Sequence, residues 1–573
     1  MTHPTDTAPT DAAKTAESIS AEAHLNAVLR CWTRETGIVV RPGRLSIELP
    51  ISAITITAEV GHASRTGLHQ FSRVEVTNSG GSVTADPAVL VRLLAEEIRS
   101  DPDEVADLVS RTAESVRNVT TFVGASGSAR SPMGRFLDAE QALLLGHLNH
   151  PAPKSRDGME GVELATYSPE LGGAFQVHWF AADADLVSAD QVAGAPSLQG
   201  LDALQLMAAL AGTTPEPGTV LVPAHPWQAA DAVRRPRVAA LLASGRLKAL
   251  GPLGAQWYPT SSLRTIYHPD LPVMLKLSLG LRITNSRRES TRTELRRGLE
   301  INRLLDAGYA AGTTQAHPRF AIVRDPAWVA LDEPQAQGGP SLTGLDVAVR
   351  EVPPGIDSYA CLAGLVAPRP GALSRLGEAV AAQGPDGAQA WVATYIDEVL
   401  VPMLHLYAAT GIGLEAHQQN TLVKVDDAGR VTGGAYRDNQ GYYLASSYLD
   451  GLLKTSGDSE STLAVVEDEI VDDRLTYYML HNQALAPVGC LAMEGLESED
   501  ALLAVVRDRL DAALPELKAA GPDGDRLARR WLTAETLPCK ANIATRLKGI
   551  DEVVAPLDNQ SVYVDVPNPL AVM

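Results

Sequence analysis

A lone lysine, Lys276, sits in the apolar run 273–279 between Leu275 and Leu277. An ammonium facing the interior there needs an anionic partner, and a nucleotide phosphate is one such partner. Alternation equally allows Lys276 to lie on the solvent face of an edge strand. On either side of it come Ser261-Ser262-Leu263-Arg264-Thr265 and Arg282-Ile283-Thr284-Asn285-Ser286-Arg287-Arg288, so hydroxyls and arginines crowd three short segments. Thr284 and Arg288, four positions apart, could jointly grip a carboxylate, the arginine through its planar fork and the threonine through its hydroxyl.

A second group follows much later. Glu415-Ala416-His417-Gln418-Gln419-Asn420 precedes a hairpin, and Tyr436-Arg437-Asp438-Asn439-Gln440-Gly441 follows it. The layout is that of a kinase catalytic loop, in which an asparagine and an aspartate across the next hairpin hold magnesium against nucleotide phosphates. Asn420 and Asp438 take the analogous places, and with Lys276 they predict a site for ATP and Mg2+.

Three further segments carry weaker signals. The loop 146–158, stiffened by Pro151 and Pro153, holds His147, His150, Lys154 and Arg156, a donor set suited to phosphate or carboxylate oxygens unless it is simply a solvated turn. His225-Pro226-Trp227-Gln228 follows an apolar strand and reads either as a packed structural histidine or as part of a site. Lys540-Ala541-Asn542-Ile543-Ala544-Thr545-Arg546 reads as an amphipathic helical segment with Lys540 as a helix-end cation.

These segments must be positioned by a mixed α/β chain. A helix is expected over 21–37, stopped by Gly37, then strands through Ile54, Ile56, Ala58 and Val60 and through 71–76, then helices near 87–119 and 135–147. The middle region shows strand-like pieces at 219–222 and 273–279 and a helix over 293–307 ended by Gly308. Prolines and glycines between Pro353 and Gly371 mark a boundary before a mainly helical last third. Helices are expected there over 388–410, 467–485, 500–514 and 525–532, with a hairpin at 421–436.

Composition bounds the function. The 573 residues, 45% of them hydrophobic, can bury a large core in roughly two to four domains. A formal net charge of −21 disfavours a nucleic-acid binder, so none is expected as a partner, and an anionic substrate must meet a local basic cluster. Cys31, Cys361, Cys490 and Cys539 are too scattered for a disulfide framework or a zinc site and fit a reducing cytoplasm. Residues 1–20 lack the basic start and apolar run of a secretory signal and read as a disordered leader. Apolar stretches such as 501–506 fall well short of the ~20 residues that span a bilayer, so no membrane association is expected.

Taken in order, the loop 147–158, His225 to Gln228, Ser262 to Thr265, Lys276, Ile283 to Arg288, His417 to Asn420, Arg437 to Gly441 and Lys540 to Arg546 resemble the IucA/IucC family of NRPS-independent siderophore synthetases. The resemblance spans nearly the whole chain. One departure is Leu148, where the family loop usually has proline after the first histidine.

The resemblance implies an α/β (α+β) fold shaped as a cupped hand of thumb, fingers and palm, with a kinase-like nucleotide cleft between fingers and palm. On this chain the thumb would span 21–175, the fingers, mainly antiparallel sheet, 176–380, and the palm, mainly helical with a hairpin, 381–573. His150, Lys154, Ser262, Arg264, Thr265, Lys276, Gln419 and Asn420 would contact ATP, and Glu415 and Asp438 would hold magnesium. Thr284, Arg288, His417 and Lys540 would bind the carboxylate, with Arg546 as a further candidate; Lys276, Arg288 and His417 would serve the reaction directly.

The implied reaction adenylates citrate or a citrate derivative and condenses it with an amine, hydroxylamine or alcohol. The same chemistry on 2-oxoglutarate or a dicarboxylic acid monoamide is the alternative. From another class stands a kinase-like small-molecule phosphotransferase, although no Gly-rich strand-turn covers a phosphate and no aspartate takes the place of a base. A non-catalytic binder of an anionic metabolite is the third reading. Family members are often homodimers, but no heptad or exposed apolar run predicts a self-contact.

Overall fold

The computed structural model describes residues 15–126, 134–284, 286–331, 341–457, 460–550 and 561–571. Most of the expected leader, residues 1–14, lies outside them, as does Asn285. Residues 16–20 are helical. The first helix is Ala16–Glu35, and it starts earlier than its apolar stripe because the Thr15 hydroxyl accepts a hydrogen bond from the Ser18 N–H.

The three largest hydrophobic cores among the described residues organise the chain. The first packs this helix and the helices Pro87–Glu97 and Pro102–Ala125 on an antiparallel sheet of four strands in sequence order. Alternation turns Ile56, Ala58 and Val60 inward against Leu29, Phe71 and Leu94. A short helix from near the other end of the sequence joins the same core, through Ile543 and Leu547.

That helix is Asn542–Leu547, and it returns from the far end of the chain to complete a core otherwise built from residues before 109.

The second core lies on one face of an eight-stranded sheet. Its order is Val187–Gln191, Ala327–Leu331, Asp346–Glu351, Val273–Leu277, Thr265–Tyr267, Leu247–Pro259, Phe175–Asp183 and Thr219–Ala224, and every neighbouring pair is antiparallel. Val273, Leu275 and Leu277 point into this core with Val177, Val222, Val329 and Val347. Period-2 alternation therefore sends Met274 and Lys276 to the opposite face, where Met274 joins the third core. The Lys276 strand is paired on both sides, which overturns the edge-strand alternative.

The third core is mainly helical and holds three small sheets. The expected helix over 388–410 is one continuous run, Gly387–Tyr395, a widened π-type turn at Ile396–Leu400, and Val401–Thr410 closed by Gly411 in the left-handed region. The hairpin is Thr421–Val425 with Val431–Tyr436. The helix Glu499–Ala520 runs beyond its expected end despite Pro515 inside it. Its Ser498 side chain caps the start, and Leu502, Val506, Leu510 and Leu517 bury one face. The short helix Arg135–Glu140 also packs here, through Phe136, Leu137 and Ala139.

Lys540 corrects one expectation. It is the last residue of the strand Thr536–Lys540, paired with Tyr563–Pro567, and the helix begins only at Asn542. It is therefore a buried strand-end cation and not a helix-end cation in solvent. Among the described residues no helix is long and apolar enough to cross a membrane.

Candidate active site

The face of the eight-stranded sheet that carries Lys276 looks into a cavity of about 360 Å³, whose other walls come from the loops at 143–156, 415–420 and 437–438 and from the segment 474–482. Lys276 is 3% exposed and stands opposite Thr265 in the ladder. Its Nζ lies 2.5 Å from Asp438 Oδ1. Asp438 has φ 98°, a left-handed conformation that aims its carboxylate back across the hairpin at the sheet. Arg350, on the strand paired directly with that of Lys276, approaches the same carboxylate at 3.5 Å while it holds Asp325 through contacts of 2.7 and 3.0 Å.

Burial would raise the Asp438 carboxyl, but Lys276 and Arg350 overcome it and keep the group ionised, well below the usual carboxylate range. Burial pushes the Lys276 ammonium down, opposed by Asp438 and reinforced by Arg264 and Arg350. Arg264 itself donates to the Arg288 carbonyl at 2.8 Å and to the Ser290 hydroxyl at 3.3 Å. The Ser262 hydroxyl accepts from the Thr265 N–H at 3.1 Å, closing the turn that leads into the Thr265 strand.

Opposite stands the loop that ends in Asn420. The Asn420 side-chain amide donates to the Glu415 carbonyl at 3.1 Å and to His417 Nε2 at 3.2 Å. Desolvation pushes the His417 imidazole down to about 4, so at neutral pH it is uncharged, with Nδ1 carrying the proton when Nε2 accepts. The Glu415 carboxylate accepts from the Tyr443 hydroxyl at 2.5 Å. A Cβ at Gly441 would lie 2.8 Å from that carboxylate and 3.1 Å from the Glu415 Cβ, so a larger residue there would displace the Glu415 side chain. Gln419 donates to the Ser261 hydroxyl at 3.2 Å.

The third wall is the turn at Thr284, which has φ 55°, an unusual conformation for a β-branched residue. Arg111 holds it by donating to the Thr284 carbonyl at 2.8 Å and to the Ser155 hydroxyl at 2.7 Å. Arg288 then donates to the Thr284 hydroxyl at 3.0 Å and to the Ile283 carbonyl at 3.2 Å. The Lys540 ammonium stands over the Tyr477 ring, 6.0 Å from its centroid.

Of the sequence-predicted residues, His150, Lys154, Ser262, Arg264, Thr265, Lys276, Thr284, Arg288, Glu415, His417, Gln419, Asn420, Asp438 and Lys540 all line this one cavity. Arg546 does not. Its guanidinium pairs with Asp107, which also holds Arg282 at 2.5 Å, and with Glu104 at 3.5 Å, so it braces the Thr284 turn from behind. Lys154 and Arg156 share the buried carboxylate of Glu170, Arg156 at 2.6 Å. His225 is a structural residue: its Nδ1 accepts from the Trp227 N–H at 3.2 Å, and its ring packs between Tyr167 and Phe175 at 4.8 and 4.6 Å.

Sequence reasoning missed several contributors. Arg350 carried the same signal as Lys276, a charge in an apolar strand. Glu140, fully buried, accepts from the Ser261 N–H at 2.9 Å and pairs with Arg437 at 2.7 Å; a charge at the end of a six-residue helix gave no hint of this. The loop 146–158 was expected to be stiffened by its prolines. Its anchor is instead a polar stripe on Pro102–Ala125, where Arg111, Glu114, Ser115 and Asn118 recur at helical spacing and bond Ser155, Arg156 and Lys154. Tyr477, Tyr478 and Asn482 reach the cavity from Thr476–Ala484, where a π-type turn re-aims side chains that a regular helix would point elsewhere.

Comparison with known proteins adds to this geometry. The profile of the IucA / IucC family matches residues 135–367, and that of the ferric iron reductase FhuF-like transporter matches 389–554. The rhizobactin siderophore biosynthesis protein RhbC of Rhizobium meliloti (strain 1021) is 35% identical over 584 residues, covering 96% of this chain and 97% of its own. The spermidine-citrate ligase of Bacillus anthracis is 31% identical, with 97% and 98% covered. The ATP-bound aerobactin synthetase IucA from a hypervirulent pathotype of Klebsiella pneumoniae superposes with a TM-score of 0.82 at 26% identity, covering 97% of this chain and 100% of that one.

Proposed function

Because this chain belongs to the IucA/IucC family of siderophore synthetases, we propose that it is an ATP-dependent acid–amine ligase that activates citrate and condenses it with an amine. The observation that carries this reading is a single cavity with two kinds of cation in it. Lys276, already facing Asp438, suits a triphosphate, and Arg288, held on neutral oxygens, suits a carboxylate.

In this reading Lys276, Arg264, Ser262, Thr265, His150, Lys154, Gln419 and Asn420 receive the nucleotide. Thr284, Arg288, His417 and Lys540 receive citrate. Glu415 and Asp438 offer oxygen ligands at the cavity wall, a donor set that fits a hard cation such as Mg2+, which would neutralise phosphate charge. A citrate carboxylate oxygen bonds to the α-phosphorus as the bond to pyrophosphate breaks. The amine nitrogen then bonds to the acyl carbon, AMP leaves with its oxygen, and the amine gives up a proton. The cations do the electrostatic work, holding two mutually repelling anions in line. The neutral His417 can hydrogen-bond without adding charge. Four free, buried cysteines suit a cytoplasmic setting.

The test is ATP/pyrophosphate exchange with hydroxylamine trapping across citrate, 2-oxoglutarate, succinate and their monoamides. Citrate-dependent exchange with release of AMP is expected. Exchange with 2-oxoglutarate alone would move the substrate assignment, and ADP as the product would replace the ligase reading with a phosphotransferase.

A further inference from the structure

Away from the cavity, three helices bring two histidines and a glutamate together. His317 closes the helix Ala311–Ala316, His405 lies on Val401–Thr410, and Glu516 lies on Glu499–Ala520. One ligand atom from each falls within 4.8 Å of the other two. His317 Nε2 is 2.9 Å from a Glu516 carboxylate oxygen, and the two imidazoles meet edge to face with centroids 5.0 Å apart.

We propose that His317, His405 and Glu516 form a binding site for one divalent transition-metal ion of the zinc class. Two imidazoles and one carboxylate make a mixed nitrogen and oxygen donor set of the kind that binds Zn2+, with a fourth position left for water. Tetrahedral bonds of about 2.0–2.1 Å set ligand atoms about 3.3 Å apart. Small side-chain rotations reach that spacing, and the half-exposed Glu516 is free to make the largest one.

A second contact supports the site. Thr313 Oγ1 lies 3.0 Å from His405 Nδ1. An Nδ1–H donating to that hydroxyl leaves the Nε2 lone pair for the metal, the arrangement by which second partners orient ligating histidines. The ion would tie together three helices of the third core, and one of them, Val401–Thr410, leads through Gly411 and the strand Ile412–Leu414 into Glu415 and the cavity.

The full chain, stripped with a chelator, should be titrated with Co2+ alone and followed by visible absorption, then with Zn2+ by calorimetry. One equivalent should bind with the ligand-field bands of a nitrogen- and oxygen-ligated site. Glu516→Gln, His317→Gln and His405→Ala should each weaken binding about tenfold or more, and Thr313→Val by a smaller factor. Zn2+ should raise the Tm of the parent and not that of the variants. Absence of a stoichiometric ion would overturn the proposal. So would affinity unchanged in Glu516→Gln, an exposed position that keeps the variant set informative even if His405→Ala does not fold; loss of binding in Asp438→Asn instead would put the ion in the cavity.

Discussion

The cations that surround the cavity are held in two different ways. Lys154 and Arg156 share Glu170, and Lys276 and Arg350 share Asp438, so each of these has a carboxylate of the protein's own. Arg288 and Arg264, among the described contacts, donate to backbone carbonyls and hydroxyls. The first arrangement cancels buried charge and fixes geometry. The second leaves a positive charge uncancelled, and an anionic substrate is what would cancel it.

Substitutions on the two sides should therefore fail differently. The largest effect is expected from Arg288→Ala, which should lower citrate-dependent pyrophosphate exchange about 10³-fold, as loss of a charge-stabilising donor does elsewhere, while stability stays within about 0.5 kcal/mol. Lys276→Ala should abolish exchange to a similar degree and also cost about 3 kcal/mol, because Asp438 loses its nearest partner. Urea unfolding of the two variants separates the cases; equal stability losses would break the comparison.

Glu170→Gln should act on stability first, costing about 3–5 kcal/mol by stranding two buried cations. A fully stable Glu170→Gln protein would mean that Lys154 and Arg156 are not held as an internal pair. Arg111→Met should loosen the Thr284 turn and raise the KM for the carboxylate about tenfold, the scale of a lost orienting contact, with the KM for ATP unchanged and Arg111→Lys partly restoring it. A change in both KM values alike would point to general unfolding of the site.

The smallest effect is a pH dependence of stability. Burial pushes His24 down to about 4 and His225 to about 3, so both are neutral in the fold and gain a proton more readily when unfolded. Their contribution is fully present above pH 6.5 and is lost as pH falls from there through the folded values. Each costs up to about 1.4 kcal/mol per pH unit in that window. Tm should fall between pH 6.5 and 5, and a flat profile would show that neither histidine is buried as described.

Local chemistry was the legible part of this chain. Lys276, Asn420 and Asp438 announced themselves because charge in an apolar strand and acidic or amide groups beside a hairpin have few bland explanations. Lys540 was misplaced because six residues of mixed polarity fit a helix as well as a strand end, and its partner strand Tyr563–Pro567 decided the matter. Glu140 and Arg111 were invisible because their partners lie far away in sequence; Glu140 meets Arg437 across 297 positions. Arg546 carried the right charge for a ligand, but Asp107 and Glu104 claim it, and no spacing rule could reveal that.

The return of Asn542–Leu547 to the first core has a consequence for how the molecule assembles. The Ile543 N–H donates to Glu35 across 508 positions at 2.9 Å. Closing a loop of that length is entropically slow, and the first core cannot be finished until the ribosome has delivered its last helix. Lys540 enters the cavity two residues ahead of that helix. Completion of the first core and entry of Lys540 into the cavity wall are thus the same late event.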